Sequence, residues 1–331
     1  MKHFLNLLLL LLSTGLIAQG PAGVNEEHLY QASAGINVPA MNVADESFLV
    51  QRISLSTGVV LEYVEKGDSA GLPVILLHGL CDSWKSFEPV LDKLPESIHA
   101  FSVTQRGHGE SGKPAEGYTP ADFAADVAAF IAEKRLGPVI LVGHSMGGIT
   151  ALQFAVTYPS LLKALVVIDA EASFTDSPGA QEFYNEVMKL EGVIPREFME
   201  GFQQSTLANP IDPHFYNTMV DEGIKTPVRV FQAALGAMLK VNLVSQLKEI
   251  NCPALLIWGD KDAVCLQPGQ ELMAKEMKQA KLVVYEGIGH SPHWEKPDRV
   301  ARHLRLFVKT LQFNPAKTQS GKISTIQDET K

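Results

Sequence analysis

The chain has 331 residues, of which 46% are hydrophobic and 20% charged, and its formal net charge is −9. These values are ordinary for a soluble globular protein and argue against a fibrous or largely disordered chain. Because the chain has no run rich in Lys and Arg, nucleic acid is not an expected partner.

The first twenty residues have the order of a secretory signal peptide. Lys2 and His3 precede a largely apolar run over residues 4–12, and small residues follow up to Gly20. This run is short for a membrane span, which needs about 20 apolar residues. We therefore expect residues 1–20 to be a signal peptide, the protein to be exported, and no stable membrane insertion; an uncleaved N-terminal anchor is the alternative.

Short apolar runs predict a largely parallel sheet. Residues 49–56 and 59–64 flank Thr57 and Gly58, which predicts an antiparallel hairpin at a sheet edge. The later runs are continuous and rich in β-branched residues, as in strands that are buried on both faces by helices. These runs cover residues 74–77, 139–142, 165–168, 254–258 and 282–285.

A helix is expected between the first and second of these runs. Thr119 is a predicted N-cap, Pro120 occupies the first helical position and an acid follows at Asp122, while Gly137 closes the segment. Large apolar residues recur at helical spacing, which indicates a helix lying on the sheet. These residues are Phe123, Val127, Phe130 and Ile131.

Apolar strand runs stop between Glu171 and about Ser245. Helix starts are indicated at residues 212–213 and 226–227, and large apolar residues such as Phe174 are frequent. This pattern predicts a helical insertion over the sheet. After Phe313 the chain becomes polar, so residues 314–331 are expected to form a disordered tail.

The chain contains three cysteines, Cys81, Cys252 and Cys265. Export would permit disulfides, but an odd number leaves at least one without an intrachain partner. The predicted strand over residues 254–258 separates its two ends by roughly 15 Å, which opposes a bridge between Cys252 and Cys265. We expect three free thiols.

The strongest chemical motif is Gly-x-Ser-x-Gly, with Gly143, Ser145 and Gly147 between a predicted strand and a predicted helix. A serine on such a tight strand-to-helix turn is exposed at the end of the sheet, and the glycines are needed where neighbouring chain passes close. The amide of Met146, at the helix N-terminus, is placed to donate to a developing oxyanion. Ser145 is therefore the predicted nucleophile.

At this point the chain resembles the α/β-hydrolase superfamily, from about Phe48 to Phe313. Residues 77–84 are similar to the family's oxyanion loop, and by that match the amide of Leu80 is the second oxyanion donor. Residues 106–111 are similar to the turn after the family's fourth strand, although Thr104 stands where the family often has Asp. The resemblance implies an α/β fold with a mostly parallel central sheet flanked by helices and a helical cap insertion. It divides the chain into core residues 46–170, cap residues 171–245 and core residues 246–313.

The same resemblance implies the base and the acid. His290 lies in a loop after the last strand run, as in the family's catalytic-histidine loop, and His293 is its near competitor. Asp262 matches the family's Gly-x-x-Asp turn and is the implied acid that orients His290. Asp260 is expected to hold that turn.

A second position for the acid stays open, because some family members place it after the sixth strand. This chain has Asp169 and Glu171 there. The alternative interpretation is that both cap the loop.

We therefore expect an exported serine hydrolase that cleaves a carboxylic ester or lactone through an acyl-enzyme on Ser145. The predicted substrate-binding residues are Trp84, His144 and Phe174. Neither metal-ligand spacing nor a phosphate loop is present, so no metal or cofactor is expected. A carbon-carbon bond hydrolase of the same fold and a hydrolase-like binding protein are the alternatives.

Overall fold

The computed structural model of the chain describes residues 48–313. Its strands are β1 (Val50–Ser54), β2 (Val60–Lys66), β3 (Leu72–Leu77), β4 (Ile98–Thr104), β5 (Val139–His144), β6 (Leu162–Ile168), β7 (Ala254–Gly259) and β8 (Ala280–Tyr285). Its α-helices are α1 (Glu88–Leu91), α2 (Pro120–Glu133), α3 (Met146–Thr157), α4 (Pro178–Val187), α5 (Arg196–Ser205), α6 (Pro213–Ile224), α7 (Val228–Met238), α8 (Gln267–Glu276), α9 (Pro292–Glu295) and α10 (Pro297–Phe313). The predicted signal peptide and the predicted C-terminal tail lie outside the described residues.

One sheet contains these eight strands in the order β1-β2-β4-β3-β5-β6-β7-β8. Strand β2 pairs antiparallel with β1 and with β4, and every other neighbouring pair is parallel. The β1–β2 pair confirms the predicted hairpin at the sheet edge. Because β3, β5, β6 and β7 are parallel, the loops that follow them meet at one edge of the sheet.

Alternation along the central strands explains why both faces of the sheet are covered. In β5, Val139 and Leu141 pack into one hydrophobic cluster, whereas Ile140 and Val142 pack into another. Successive side chains of a strand point to opposite faces of the sheet. A strand in which consecutive residues are apolar must therefore be covered by other elements on both faces. Helices α2 and α3 cover the first face, and α1 and α10 cover the second. The predicted α/β fold is confirmed.

Helix α2 begins as predicted but ends differently. The Thr119 hydroxyl accepts a bond from the Asp122 amide at 3.3 Å, and the Asp122 carboxylate accepts from the Thr119 amide at 2.9 Å. At the other end Arg135, and not Gly137, adopts the left-handed backbone with φ of +54°. The Leu136 amide then donates to the carbonyl of Ile131 at 2.9 Å, which satisfies the helix end.

Four helices, α4 to α7, lie between β6 and β7, within the predicted cap. Helix α6 begins after Asp212, whose side chain caps the Phe215 amide at 2.9 Å, and α7 begins one residue later than predicted. The aromatic side chains of Phe183, Phe198 and Phe231 form one cluster, which also contains residues of the loop after β3 and of the first turn of α3. The insertion therefore packs directly against the loops expected to carry the chemistry.

The three cysteines are free thiols, as predicted. Between Phe48 and Phe313, no helix combines the length and the apolar character required to cross a bilayer.

Candidate active site

Ser145 lies at the junction between β5 and α3 in a strained backbone conformation. Its φ is +50° and its ψ is −115°, a region that favours glycine. The Ser145 amide donates to the carbonyl of Ile168 at 3.0 Å, and the Ser145 carbonyl accepts from the amides of Gly148 and Ile149. These bonds hold the strain in place, because they tie the turn both to β6 and to the first turn of α3.

The two glycines of the motif are required by close backbone approach. A Cβ atom at Gly143 would collide with the backbone of Gly147, and a Cβ atom at Gly147 would lie 2.7 Å from the carbonyl oxygen of His78 and closer still to that of Leu77. Only hydrogen fits at either position. The motif therefore lets α3 start directly against the end of β3.

His290 and Asp262 are joined by a hydrogen bond of 2.8 Å between Nδ1 and Oδ2. The other oxygen of Asp262 accepts from the amides of Val264 at 2.7 Å and Cys265 at 3.0 Å. These amides fix the carboxylate after β7. Because His290 donates through Nδ1, its Nε2 is left as the proton acceptor.

The alternative acids hold loops. The carboxyl of Asp169 accepts the Gly259 amide at 2.9 Å, and that of Glu171 accepts a backbone amide after β7 at 2.5 Å. Asp260 accepts the Gly287 amide after β8 at 2.6 Å, so it ties the turn after β7 to the loop after β8. Of these acids, only Asp262 bonds to His290.

His293, the competitor of His290, faces another environment. Its Nε2 lies 3.0 Å from the hydroxyl of Ser86, and its ring packs on Phe87 with centroids 4.8 Å apart. Burial and the neighbouring His290 lower the pKa of His293 well below the ordinary imidazole value. It is therefore a neutral packing residue beneath the site.

The loop after β3 is tied to the end of β4. The Nε2 of His78 accepts from the Gln105 amide at 2.9 Å, and the Gln105 side chain donates to the His78 carbonyl at 2.8 Å. Burial lowers the pKa of His78 well below its ordinary value, so the ring is neutral. Within residues 48–313 the amide of Leu80 has no hydrogen-bond acceptor, and the amide of Met146 has none inside α3 because it is the first helical residue. Both amides are free to bind an oxyanion.

A cavity of about 460 Å³ contains both Ser145 and His290 in its wall. The core supplies residues from the loops after β3, β5, β7 and β8, and the insertion supplies all the others. The lining consists of Leu80, Ser145, Phe174, Ser177, Pro178, Gly179, Ala180, Glu182, Phe183, Phe202, Ser205, Thr206, Leu235, Met238, Leu239, Ala263, Val264, Leu266 and His290.

Comparison with known proteins agrees with this architecture. The family model described as alpha/beta hydrolase fold matches residues 73–297, more than half of the chain. The chain belongs to the α/β-hydrolase family.

Several relatives of this α/β hydrolase are enzymes of different specificity. A 2-(acetamidomethylene)succinate hydrolase from Mesorhizobium japonicum is 25% identical over 283 residues, covering 81% of this chain and 98% of that protein. Lipase 1 from Psychrobacter immobilis is 25% identical over 290 residues, covering 80% of this chain and 85% of that protein. An esterase structure from Exiguobacterium antarcticum superposes with a TM-score of 0.72 at 23% identity, covering 79% of this chain and 100% of that chain, and shows the shared fold.

Of the three side chains predicted to contact substrate in this α/β hydrolase, only Phe174 lines the cavity. Trp84 packs edge-on against Phe48 instead, with ring centroids 6.0 Å apart. His144 donates from Nε2 to the His290 carbonyl at 2.8 Å. Trp84 and His144 are both buried and are not in this lining, so their contact with substrate stays a prediction.

Asp82 is a buried acid of the predicted oxyanion loop to which the sequence assigned no role of its own. Its carboxyl accepts from the side-chain amide of Gln203 in α5 at 3.1 Å and from the Ser86 hydroxyl at 3.1 Å. Burial raises the pKa of Asp82 to about 6. Because Asp82 follows the Leu80 amide by two residues, it links the insertion to the predicted oxyanion loop.

Among residues 48–313, one side-chain group could be considered as a metal site. Asp262, Cys265 and His290 place potential ligand atoms within 4.8 Å of one another. However, the oxygens of Asp262 already accept three hydrogen bonds, and the Cys265 thiol donates to the Asp169 carbonyl at 3.3 Å. Burial raises the pKa of Cys265 well above its ordinary value, whereas metal binding needs a thiolate. The donor set does not fit a metal ion.

Proposed function

We propose that this α/β hydrolase is a serine hydrolase of carboxylic esters, with Ser145 as nucleophile, His290 as general base and Asp262 as the orienting acid. The observation that carries this proposal is the 2.8 Å bond from His290 to Asp262 beside a cavity that Ser145 also lines. The lipase and the succinate-derivative hydrolase among its relatives support a hydrolytic reaction.

In the proposed reaction, Nε2 of His290 removes the hydroxyl proton of Ser145 as Oγ attacks the ester carbonyl. The oxyanion binds between the amides of Leu80 and Met146, where the N-terminus of α3 also favours negative charge. His290 then gives the proton to the leaving alcohol. A water molecule, activated by the same imidazole, hydrolyses the acyl-enzyme and restores Ser145.

The lining indicates a neutral and largely apolar acyl group. Twelve of its residues are apolar, and among its charged side chains there is Glu182 but neither Lys nor Arg. Asp262, which bonds to His290 in that wall, adds negative charge beside it. A carboxylate on the substrate would lose water without gaining a cationic partner, which is costly. We therefore propose esters without a second acidic group, unlike the succinate derivative of the relative.

Export of this enzyme is proposed separately. It rests on the order of charge, apolar run and small residues in the first twenty positions.

The test uses para-nitrophenyl butyrate and para-nitrophenyl hemisuccinate, which differ by a terminal carboxylate. We expect many turnovers with butyrate and a kcat/KM for hemisuccinate at least about tenfold lower. A free-energy penalty of about 1.4 kcal/mol for the unpaired carboxylate is enough for that factor. Ser145→Ala is the control and should abolish turnover. Absence of turnover across a series of neutral acyl lengths would favour a binding protein, and equal constants for both esters would refute the neutral substrate class.

A further inference from the structure

Two acidic residues follow neighbouring strands in the core. Asp169 comes directly after β6 and Asp262 comes three residues after β7. Both contact Cys265, whose thiol donates to the Asp169 carbonyl at 3.3 Å and whose amide donates to the Asp262 carboxylate at 3.0 Å. Both are buried, with Asp169 fully inaccessible to solvent. A pair of carboxyls in such a place cannot carry two negative charges at once, because each would repel the other without water to screen them.

The surrounding donors decide which member carries the charge. Asp262 accepts three hydrogen bonds, from two backbone amides and from His290. Asp169 accepts one, from Gly259, and its Oδ2 has no partner among residues 48–313. A carboxylate is stabilised by the number of donors that it accepts, so the charge belongs to Asp262.

The orphan oxygen of Asp169 is explained by a proton. A buried acceptor without a donor is costly, whereas a protonated carboxyl becomes a donor and can use Asp262 as its acceptor. Burial, the charge of Asp262 and the more distant Glu295 all raise the pKa of Asp169 well above its ordinary value. The neighbouring Cys265 thiol, whose pKa burial also raises, adds no charge.

We propose that Asp169 is a protonated carboxylic acid that donates a hydrogen bond to the Asp262 carboxylate and so acts as a positioning residue behind His290. Its role in the reaction rests on the proposed function, but its protonation does not. The bond holds the Asp262 carboxylate toward His290 and shares part of its charge. Asp169 therefore supports the orienting acid and does not replace it.

Protonation is tested by infrared spectroscopy, which needs no substrate. A neutral carboxyl has a carbonyl stretch separate from the bands of carboxylates. In a difference spectrum of the wild-type protein and Asp169→Asn near neutral pH, we expect the loss of one such band. Asp260→Asn, in a turn outside the carboxyl pair, is the control and should leave that band in place. If Asp169→Asn removes a carboxylate band instead, the proposal is wrong.

The positioning role is tested by kinetics. Asparagine donates through its amide as the protonated acid does, accepts from Gly259, and tolerates the φ of +41° at this position. We expect Asp169→Asn to keep kcat within a few fold of the wild type and Asp262→Asn to lose about a thousandfold or more.

Asp169→Ala removes the donor, so we expect kcat to fall about tenfold or more. The acid limb of its pH profile should also move to higher pH, because the unshared charge of Asp262 favours the protonated imidazole. A merely structural role would not move that limb. A loss in Asp169→Asn as severe as in Asp262→Asn would overturn the proposal even if Asp169→Ala fails to fold.

Discussion

At the scale of single residues, buried acids differ in the hydrogen-bond donors that surround them. Asp262 has three donors, whereas Asp82 has the neutral donors Gln203 and Ser86 and is raised by burial to a pKa of about 6. In the unfolded chain an aspartate titrates near 3.9. The folded protein therefore binds more protons than the unfolded chain between these values, and the contribution of Asp82 to stability is present at low pH and decreases as pH rises.

We predict that Asp82→Asn gains stability relative to the wild type as the pH increases. Asparagine cannot ionise, so it avoids the cost that the buried carboxylate brings. The difference in free energy of unfolding should be larger at pH 7.5 than at pH 5 by about 1 to 2 kcal/mol, measured by urea denaturation. Asp298→Asn, where the side chain is 84% exposed, is the matched control. A difference that is constant with pH would contradict the account of Asp82.

The sequence predicts some residues of the site and misses others for a physical reason. Ser145 and Met146 are recognisable because the turn that positions them is local. Asp82 and Gln203 are 121 residues apart in the chain, and no local sequence pattern predicts their contact. The proton that we assign to Asp169 depends likewise on a neighbour from another strand.

At the scale of elements, the approach of α3 to the end of β3 sets the geometry of the nucleophile. Gly147 faces the carbonyls of Leu77 and His78 with no room for a side chain. Gly137, in the loop before β5, would place a Cβ atom in open space. A comparison of alanine substitutions at these two positions therefore distinguishes two effects. Both substitutions replace a glycine, but only the one at Gly147 would force α3 away from β3.

We predict that Gly147→Ala loses about 1 to 3 kcal/mol of unfolding free energy through overpacking and also loses activity, because the Ser145 turn must shift. Gly137→Ala should be neutral or slightly stabilising, because it lowers the entropy of the unfolded chain at no steric cost. Chemical denaturation and ester turnover of both variants check this. Equal stability of the two variants would show that the turn is not tightly packed.

Strands are predicted where apolar runs are unbroken and missed where they are not. Strand β4 is not among the apolar runs, because His99 and Ser102 interrupt its pattern, and only the resemblance to the family places a strand before residues 106–111. In the fold, His99 contacts the Glu65 carboxylate at 2.7 Å and Ser102 donates to the Trp84 carbonyl at 2.8 Å. Residues distant in sequence thus bond to the polar groups of His99 and Ser102, whose presence in the local pattern argues against a buried strand.

At the scale of the whole molecule, the site forms where two units of the fold meet. The parallel sheet brings the loops of β3, β5, β7 and β8 to one edge, and the insertion covers that edge with its own apolar side chains. The sequence predicts both units, yet it does not predict their contact surface, and of the predicted substrate-binding residues Phe174 alone is in the cavity lining. The charge of the cavity follows from that contact and sets the proposed preference for neutral esters.

The central claim is that Ser145 is the nucleophile, and reaction with a fluorophosphonate tests it most directly. Ser145 has an imidazole base in the same cavity and two free amides to hold the adduct oxygen. We expect one adduct per chain, located on Ser145 by peptide mass spectrometry, with parallel loss of ester turnover and no adduct in Ser145→Ala. An adduct on another residue, or full turnover by Ser145→Ala, would contradict the account.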